Sequence, residues 1–422
     1  MNAWAFYDWA NSVHALVITT AIFPIYYASQ IYSQEIDGDK YIELFGFLFN
    51  SSSLITYTGA AAFLIICLTM PLLTGLADYT DSKKKFLRFF CYFGSAGTIG
   101  LYWFSADNLA FGLVMYMIGL IGFWSSVVFY NSHLPLIAHK DQMDRLSAKG
   151  FALGYIGSAI LLILCLVMYL VLGWDIRISF ILTGIWWIGF AQITLRRLPS
   201  KVVDKESKKG SITAGYKELR WVWSQLRKTR RLRKYLRAFF IYSMGVQTVM
   251  LVAVYFGEEE IAWSSQDAKT TGLIISILLI QFIAIGGAYT MSSMAKKWGN
   301  ITTLIIVNAF WVLLCVVAMF ITTPMHFYLC AVGVGFVMGG IQSISRSTYA
   351  KFLPETTDTA SFFSFYDVSE KLGIVIGLFT FAFLEEAGNM RISVGALAVF
   401  FIVGLLLLFR IPKTENELHL DH

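Results

Sequence analysis

The sequence predicts an all-α integral membrane protein: twelve transmembrane helices in two pseudo-symmetric six-helix bundles, with both termini cytoplasmic. Three observations predict it. Of the 422 residues 57% are hydrophobic and only 14% charged, where a soluble chain would be about a quarter charged. The apolar residues come in repeated runs near the length of about 20 residues that carries a helix across roughly 30 Å of hydrocarbon. Landmarks after these runs recur about half a chain apart.

The runs, in order, are roughly 5–27, 54–76, 87–104, 109–130, 150–172, 177–195, 236–256, 271–293, 301–322, 326–345, 361–384 and 391–410. Each is read as a helix, because backbone facing lipid must satisfy its own hydrogen bonds and no run alternates like a barrel strand. The start, MNAWAFYDW, has no basic stretch and no small-residue cleavage site, so no removable signal peptide is predicted. The five cysteines all fall inside apolar runs, with no CxxC and no histidine at ligand spacing. They are read as small buried hydrophobes, with neither a metal nor a disulfide expected.

Basic residues set the expected orientation. Of 33 Lys and Arg, only Lys40, Arg177, Lys269 and Arg391 fall in the predicted outer segments, and Lys371 lies within a span. The other 28 fall in segments that face the cytoplasm if the N-terminus does, so both termini are expected inside. The net charge of +6 is then topological and points to no nucleic-acid partner.

The predicted organisation is an N-terminal bundle over 1–196, a basic loop over 197–235, a C-terminal bundle over 236–410 and a cytoplasmic tail over 411–422. Within the loop, ITAGYKELRWVWSQLRKTRRLRKYLR has helical periodicity. Tyr216, Leu219, Trp223 and Leu226 share a face while Lys217, Arg220, Arg227 and Arg231 point elsewhere, which suits an interfacial helix on anionic lipids.

Two landmarks recur. Ala77-Asp78 of TGLADYTDSKKK returns as Ala295-Lys296 of SSMAKKWGN, and Leu134-Pro135 returns as Leu353-Pro354, at offsets of 218 and 219 residues. Parallel repeats of this kind place a substrate site near the midplane between the halves. Twelve spans as two sixes, a basic central loop and the segment TGLADYTDSKKK resemble the major facilitator superfamily. Its loop motif reads Gly-x-Leu-Ala-Asp-Arg/Lys-x-Gly-Arg-Arg/Lys. Leu76, Ala77 and Asp78 match it; Tyr79 replaces the basic residue, and the Lys83-Lys84-Lys85 run is displaced by about a residue. The resemblance implies that Asp78 sits against the start of span 11 and holds one access state closed. Lys296 replaces that acid in the second copy.

AFYDWANS with VITTAIFPIYY, NSHLP, RLSAKGFALGYIG, YSMGVQT, GGIQSISRSTYAKFLPE and FFSFYDVSEKLG resemble the vacuole effluxer-like family of facilitators. Its fungal members are linked to amino-acid export from the vacuole. The resemblance implies secondary transport of a small molecule by a protein that works as a monomer, with no cofactor. No phosphate-binding P-loop is present to couple ATP.

Candidate residues follow. Asp8, Asn11 and Ser12, at i, i+3 and i+4, share a face of span 1, a cavity-lining helix in facilitators. An acid in the first turn also suits the helix dipole. His14 is off that face. Span 11 carries Asp367, Glu370 and Lys371. A lysine near the midplane costs roughly 2.5 kcal/mol or more, so it must pair or face water. Asp367 and Lys371 form an acid-before-base i, i+4 pair, and Glu370 is a second carboxylate beside the same ammonium. Two acids around one base make substrate or proton binding there an alternative to a purely structural ion pair. Arg346 and Gln342, at the end of span 10, are gating candidates, and Tyr242 and Gln247 on span 7 are substrate contacts. The expected substrate is an amino acid or related zwitterion, exported by alternating access with protons as a possible coupling ion. An organic anion, a sugar, or a sensor or scaffold without transport are the alternatives. A bacterial inner membrane is the expected location.

Overall fold

The structure, a computed structural model, describes residues 1–31, 34–36, 39–199, 212–387 and 390–412. The central 200–211 and the predicted tail from 413 onward lie outside the described residues. Among those described, nine helices are long and apolar enough to cross a membrane. Their outer surfaces are apolar, with Leu64, Leu68, Leu170, Phe379 and Phe383 all exposed. Side chains of this kind belong against lipid rather than water.

The chain begins with α1 (Asn2–Val13), a π-helical segment (His14–Ile22) and α2 (Phe23–Gln30). The expected first span is therefore wound wider in its middle, where five of nine residues are β-branched. Next comes the main departure from an all-α reading. Residues Gln34–Ile36, Asp39–Leu44 and Phe47–Asn50 form an antiparallel sheet, β1-β2-β3. Leu44 pairs with Phe47 across a two-residue turn, Phe45-Gly46, with both residues at positive φ. That is the conformation a tight hairpin needs, and it lies outside the apolar runs that dominated the pattern.

Helices then follow one another: α3 (Ser51–Tyr79), α4 (Lys83–Gly100), α5 (Leu109–Ser132), the single turn α6 (Leu134–Ile137), α7 (Met143–Leu170) and α8 (Ile178–Arg197). After the undescribed stretch come α9 (Ile212–Lys228), α10 (Arg230–Glu259), α11 (Gln266–Trp298), α12 (Asn300–Ala318), α13 (Pro324–Phe352) and α14 (Thr359–Ala387). The last expected span is broken at Leu397 into α15 (Met390–Ala396) and α16 (Ala398–Phe409). Local chemistry sets several ends. Ser265 and Thr323 each accept a hydrogen bond from a backbone amide in the first turn of the helix they cap. Gly299, at φ +86°, separates α11 from α12.

Two helix groups result. In the first, α1 packs on α7 and α8, and α4 on α5 and α8; in the second, α10 packs on α14 and α16, and α11 on α13. The groups meet where α14 lies along α3 and α5, and where α11 and α13 lie along α7. Close approach depends on small residues. A Cβ on Gly339 of α13 would stand 2.1 Å from the Ala284 carbonyl oxygen of α11, so the glycine is required there.

The basic helix ends gather at one end of the bundle, hereafter the basic end. Thr194 donates to the Ala3 carbonyl there, Lys84 to that of Leu198, and Lys234 to that of Arg410. The sheet and the Glu260–Arg391 ion pair belong to opposite helix ends.

Candidate functional site

The site is built from residues that meet across the junction of the two helix groups. Arg346 lies six residues before the end of α13, about 9 Å along a helix. Its guanidinium is buried and donates to Asp8 Oδ2 from both terminal nitrogens, 3.1 Å each. It also reaches Asn131 Oδ1 at 3.2 Å, Ser147 Oγ at 2.9 Å and the Ser147 carbonyl at 2.9 Å. Tyr130 donates to the same Asp8 oxygen at 2.9 Å, and the guanidinium lies over the ring of Phe151, 4.1 Å from its centroid.

This contact needs α7 to lie close against α1. Gly150, Gly154 and Gly157 present no side chain toward Asp8, Ser12 and Trp9; a Cβ on Gly150 would fall 2.4 Å from Asp8 Oδ2. Asp8 thus belongs to a pair that ties α1 to α13. Asn11, also buried, accepts only a 3.5 Å contact from Ser12 among the bonds found. His14 is buried in the first helix group, its Nδ1 3.1 Å from Thr98 Oγ1. One turn deeper than Arg346, Gln342 accepts from Tyr155 at 2.6 Å, again across the junction.

Asp78 is the acceptor at a second crossing point. It receives the backbone amides of Ala360 (3.3 Å) and Ser361 (2.6 Å) and the Ser361 hydroxyl (2.6 Å), at the N-terminus of α14. Lys83 pairs with it at 2.6 Å and donates to the Thr357 carbonyl. An acid at these orphan amides is favoured by hydrogen bonding and by the helix dipole together.

The equivalent position in the second half, Lys296, is exposed. An acid from the other group works nearby instead. Asp144, in the first turn of α7, pairs with Lys351 and accepts from Asn300 Nδ2 at 2.7 Å. Asn300 in turn contacts Thr348 and Lys351. The sequence reading missed Asp144, Asn300 and Lys351, because the repeat motif points to Lys296 and nothing local links residues 144 and 351.

The third cluster lies deeper. Lys371 is twelve residues into α14, about 18 Å along the helix, and fully buried. Its ammonium donates to Asp367 Oδ1 at 2.8 Å and Glu370 Oε2 at 3.1 Å. Gln247 of α10 holds the other oxygen of Glu370 at 2.8 Å. Across the junction, Trp124 of α5 puts its ring centroid 3.5 Å from the Lys371 nitrogen. Trp124 was not anticipated: an indole in an apolar span looks like any other lipid-facing or packing aromatic. Asp367 Oδ2 is buried and has no hydrogen-bond partner among the described residues. Tyr242 is hydrogen-bonded elsewhere, to Ser345 Oγ at 2.7 Å and Tyr235 at 3.1 Å.

The arrangement can do two physical things. Three sets of polar contacts clamp the helix groups together at and near the basic end. Beyond the clamp, a buried cluster of two carboxylates and one ammonium meets the opposite group at Trp124, whose ring lies over the ammonium.

Comparisons with known proteins agree with that architecture. The chain is similar to the fucose–proton symporter FucP of E. coli in the outward conformation, with a TM-score of 0.68, 16% identity and 98% of each chain covered. It is equally similar in fold to the human organic anion transporter MFSD10, with a TM-score of 0.68, 13% identity and 96% and 97% of the two chains covered. Identities this low speak for the fold alone. In sequence it is 29% identical to the MFS-type transporter YxiO of Bacillus subtilis, over 98% of this chain and 95% of that one. Autophagy-related protein 22-1 of Aspergillus terreus is 23% identical, over 89% and 76%. Residues 1–417 match the family described as vacuole effluxer Atg22 like. The chain belongs to that family, and so to the MFS-type membrane transporters.

Proposed function

We propose that the protein is a secondary transporter that exports a small zwitterion, an amino acid or close relative, by alternating access. Twelve spans with both termini cytoplasmic underlie this reading; the helical stretches 2–30, 83–100 and 359–387 join the nine long apolar helices. The basic end is then the cytoplasmic one. The clamped arrangement is a state closed toward the cytoplasm, and a bacterial inner membrane is the setting.

One observation carries the substrate class: the cluster of Asp367, Glu370 and Lys371, with the unpartnered Asp367 Oδ2 and the Trp124 face. Two acids and one base leave a surplus negative charge in a buried place, where an unmatched charge is costly. A ligand ammonium group would neutralise it, and its carboxylate would compete for Lys371, the cation that holds the Trp124 face. Between substrates, a proton on either carboxylate would do the same, which makes proton coupling the matching energy source.

The test is counterflow in liposomes with labelled amino acids, organic acids and sugars, at two imposed pH gradients. Saturable exchange of amino acids, lost in Lys371→Ala and altered by the gradient, is the expected result. Exchange of amino acids untouched by Lys371→Ala would remove the cluster from the site. Exchange of sugars or organic acids alone would overturn the substrate class.

A further inference from the structure

Helix α9 is the largest basic element that the transport site leaves unexplained. Its inner face, with Val222, Gln225 and Leu226 buried, packs on the basic end of α3. Contact is close at Gly215, which lies so near Gly75 of α3 that a Cβ on Gly75 would stand 2.4 Å from the Gly215 carbonyl oxygen. Eight residues further on, Trp223 reaches the other helix group, with its ring centroid 5.4 Å from that of Phe365 on α14. Thus α9 bridges α3 and α14, the two helices that Asp78 also joins.

Its outer face was misread from sequence. Leu226 turns inward, away from Tyr216 and Trp223, which are 58% and 44% exposed. Tyr216, Arg220, Trp223 and Arg227 follow at i, i+4, i+7 and i+11, so a helix sets them in one stripe alternating aromatic and guanidinium. All four are exposed, and Arg227 lies over the Trp223 ring at 5.4 Å. Lys217 and Lys228 are exposed beside the stripe, and Glu218, half-buried, is the one acid on the helix.

Depth identifies the partner. Gly75 is four residues from the end of α3 and Phe365 six from the start of α14, about 6 Å and 9 Å along their helices. Both anchors of α9 are therefore near the helix ends, which in the orientation proposed above lie at the headgroup layer, and α9 runs across the bundle end rather than along it. Aromatic rings with cationic neighbours at that depth match phospholipid headgroups of negative charge.

We propose that α9 is a lipid-held strap: anionic phospholipid headgroups bind the stripe of Tyr216, Arg220, Trp223 and Arg227 and thereby favour the state clamped at the basic end. Binding costs nothing in rearrangement, since the stripe is already presented while α9 spans the junction. Opening that end separates α3 from α14, so α9 must leave one of them.

Hydrogen exchange on the full chain tests this, in nanodiscs of phosphatidylcholine alone or with phosphatidylglycerol added. Exchange in 212–228 and at the adjoining ends of α3 and α14 is expected to slow about tenfold with the anionic lipid at low salt, and to lose that difference at high salt. Arg220→Gln with Arg227→Gln should abolish the lipid effect while leaving exchange in the rest of the chain unchanged. Trp223→Ala should keep the protection of α9 and lose that of α14. Equal exchange in the two lipids, or an undiminished lipid effect in the double arginine variant, would overturn the lipid site. Protection confined to α9 in the natural chain would overturn the strap.

Discussion

Arg346 of α13 donates from both terminal nitrogens to a single oxygen of Asp8 on α1, 338 residues away, and both side chains are buried. Neither residue is near its partner in sequence, and each would be a serious liability alone. Removing one member of a buried ion pair costs about 3–5 kcal/mol, because the other charge is left uncompensated. That cost falls on the clamped state, since the pair exists only while the helix groups meet at the basic end.

Arg346→Gln is therefore expected to open the basic end. A cysteine placed at the buried Ser343 should react with a membrane-impermeant maleimide at least about tenfold faster in this variant. Asp8→Asn with Arg346→Gln should be milder than either single change. An unchanged labelling rate in Arg346→Gln would sink the clamp reading.

Asp78 and Asp144 lie at separate crossing points, one capping α14 and the other pairing with Lys351. Asp78→Asn retains a hydrogen-bond acceptor but loses the charge opposite Lys83 and the dipole. A loss of about 1–3 kcal/mol from the clamped state is expected. Asp144→Asn should act in the same direction. The same labelling assay checks both, and slower reaction in either variant would contradict the assignment.

At the deeper cluster, Lys371→Ala leaves two buried acids without their base. We expect a lower midpoint of thermal unfolding in detergent, partly restored when Asp367→Asn is added. Glu370→Gln keeps a partner for Gln247 and removes one charge. It should flatten the dependence of exchange on the imposed pH gradient while leaving the protein folded. A gradient response identical to that of the natural chain would exclude Glu370 from proton handling.

Gly339→Val tests packing rather than chemistry. Its side chain would need space occupied by the Ala284 carbonyl, so α11 and α13 must separate. The expected outcome is loss of the monodisperse peak on size-exclusion chromatography. A well-folded, equally stable variant would show that this contact yields more easily than its geometry implies.

How much of this was legible beforehand depends on range. Apolar runs and the i, i+4 spacing of Asp367 and Lys371 are local patterns, and the helices and the 2.8 Å ion pair follow from them. Family motifs were legible for the same reason: they are contiguous strings such as GGIQSISRSTYAKFLPE. The sheet of Gln34–Ile36, Asp39–Leu44 and Phe47–Asn50 was not, because strands this short give a weak signal beside twenty-residue runs. The stripe on α9 was misassigned because periodicity gives angular spacing, while which angle faces α3 is set by Gly75 and Gly215.

By itself, then, the sequence determined that the chain forms apolar helices, which family it belongs to, and that span 11 holds acid and base together. These depend on composition and on residues within a turn of one another. Only the tertiary structure decided that Asp8 answers Arg346, that Asp144 replaces the acid missing at Lys296, and that Trp124 closes over Lys371. Those pairings join residues more than 200 positions apart, and they exist only where close packing brings two helix groups into register.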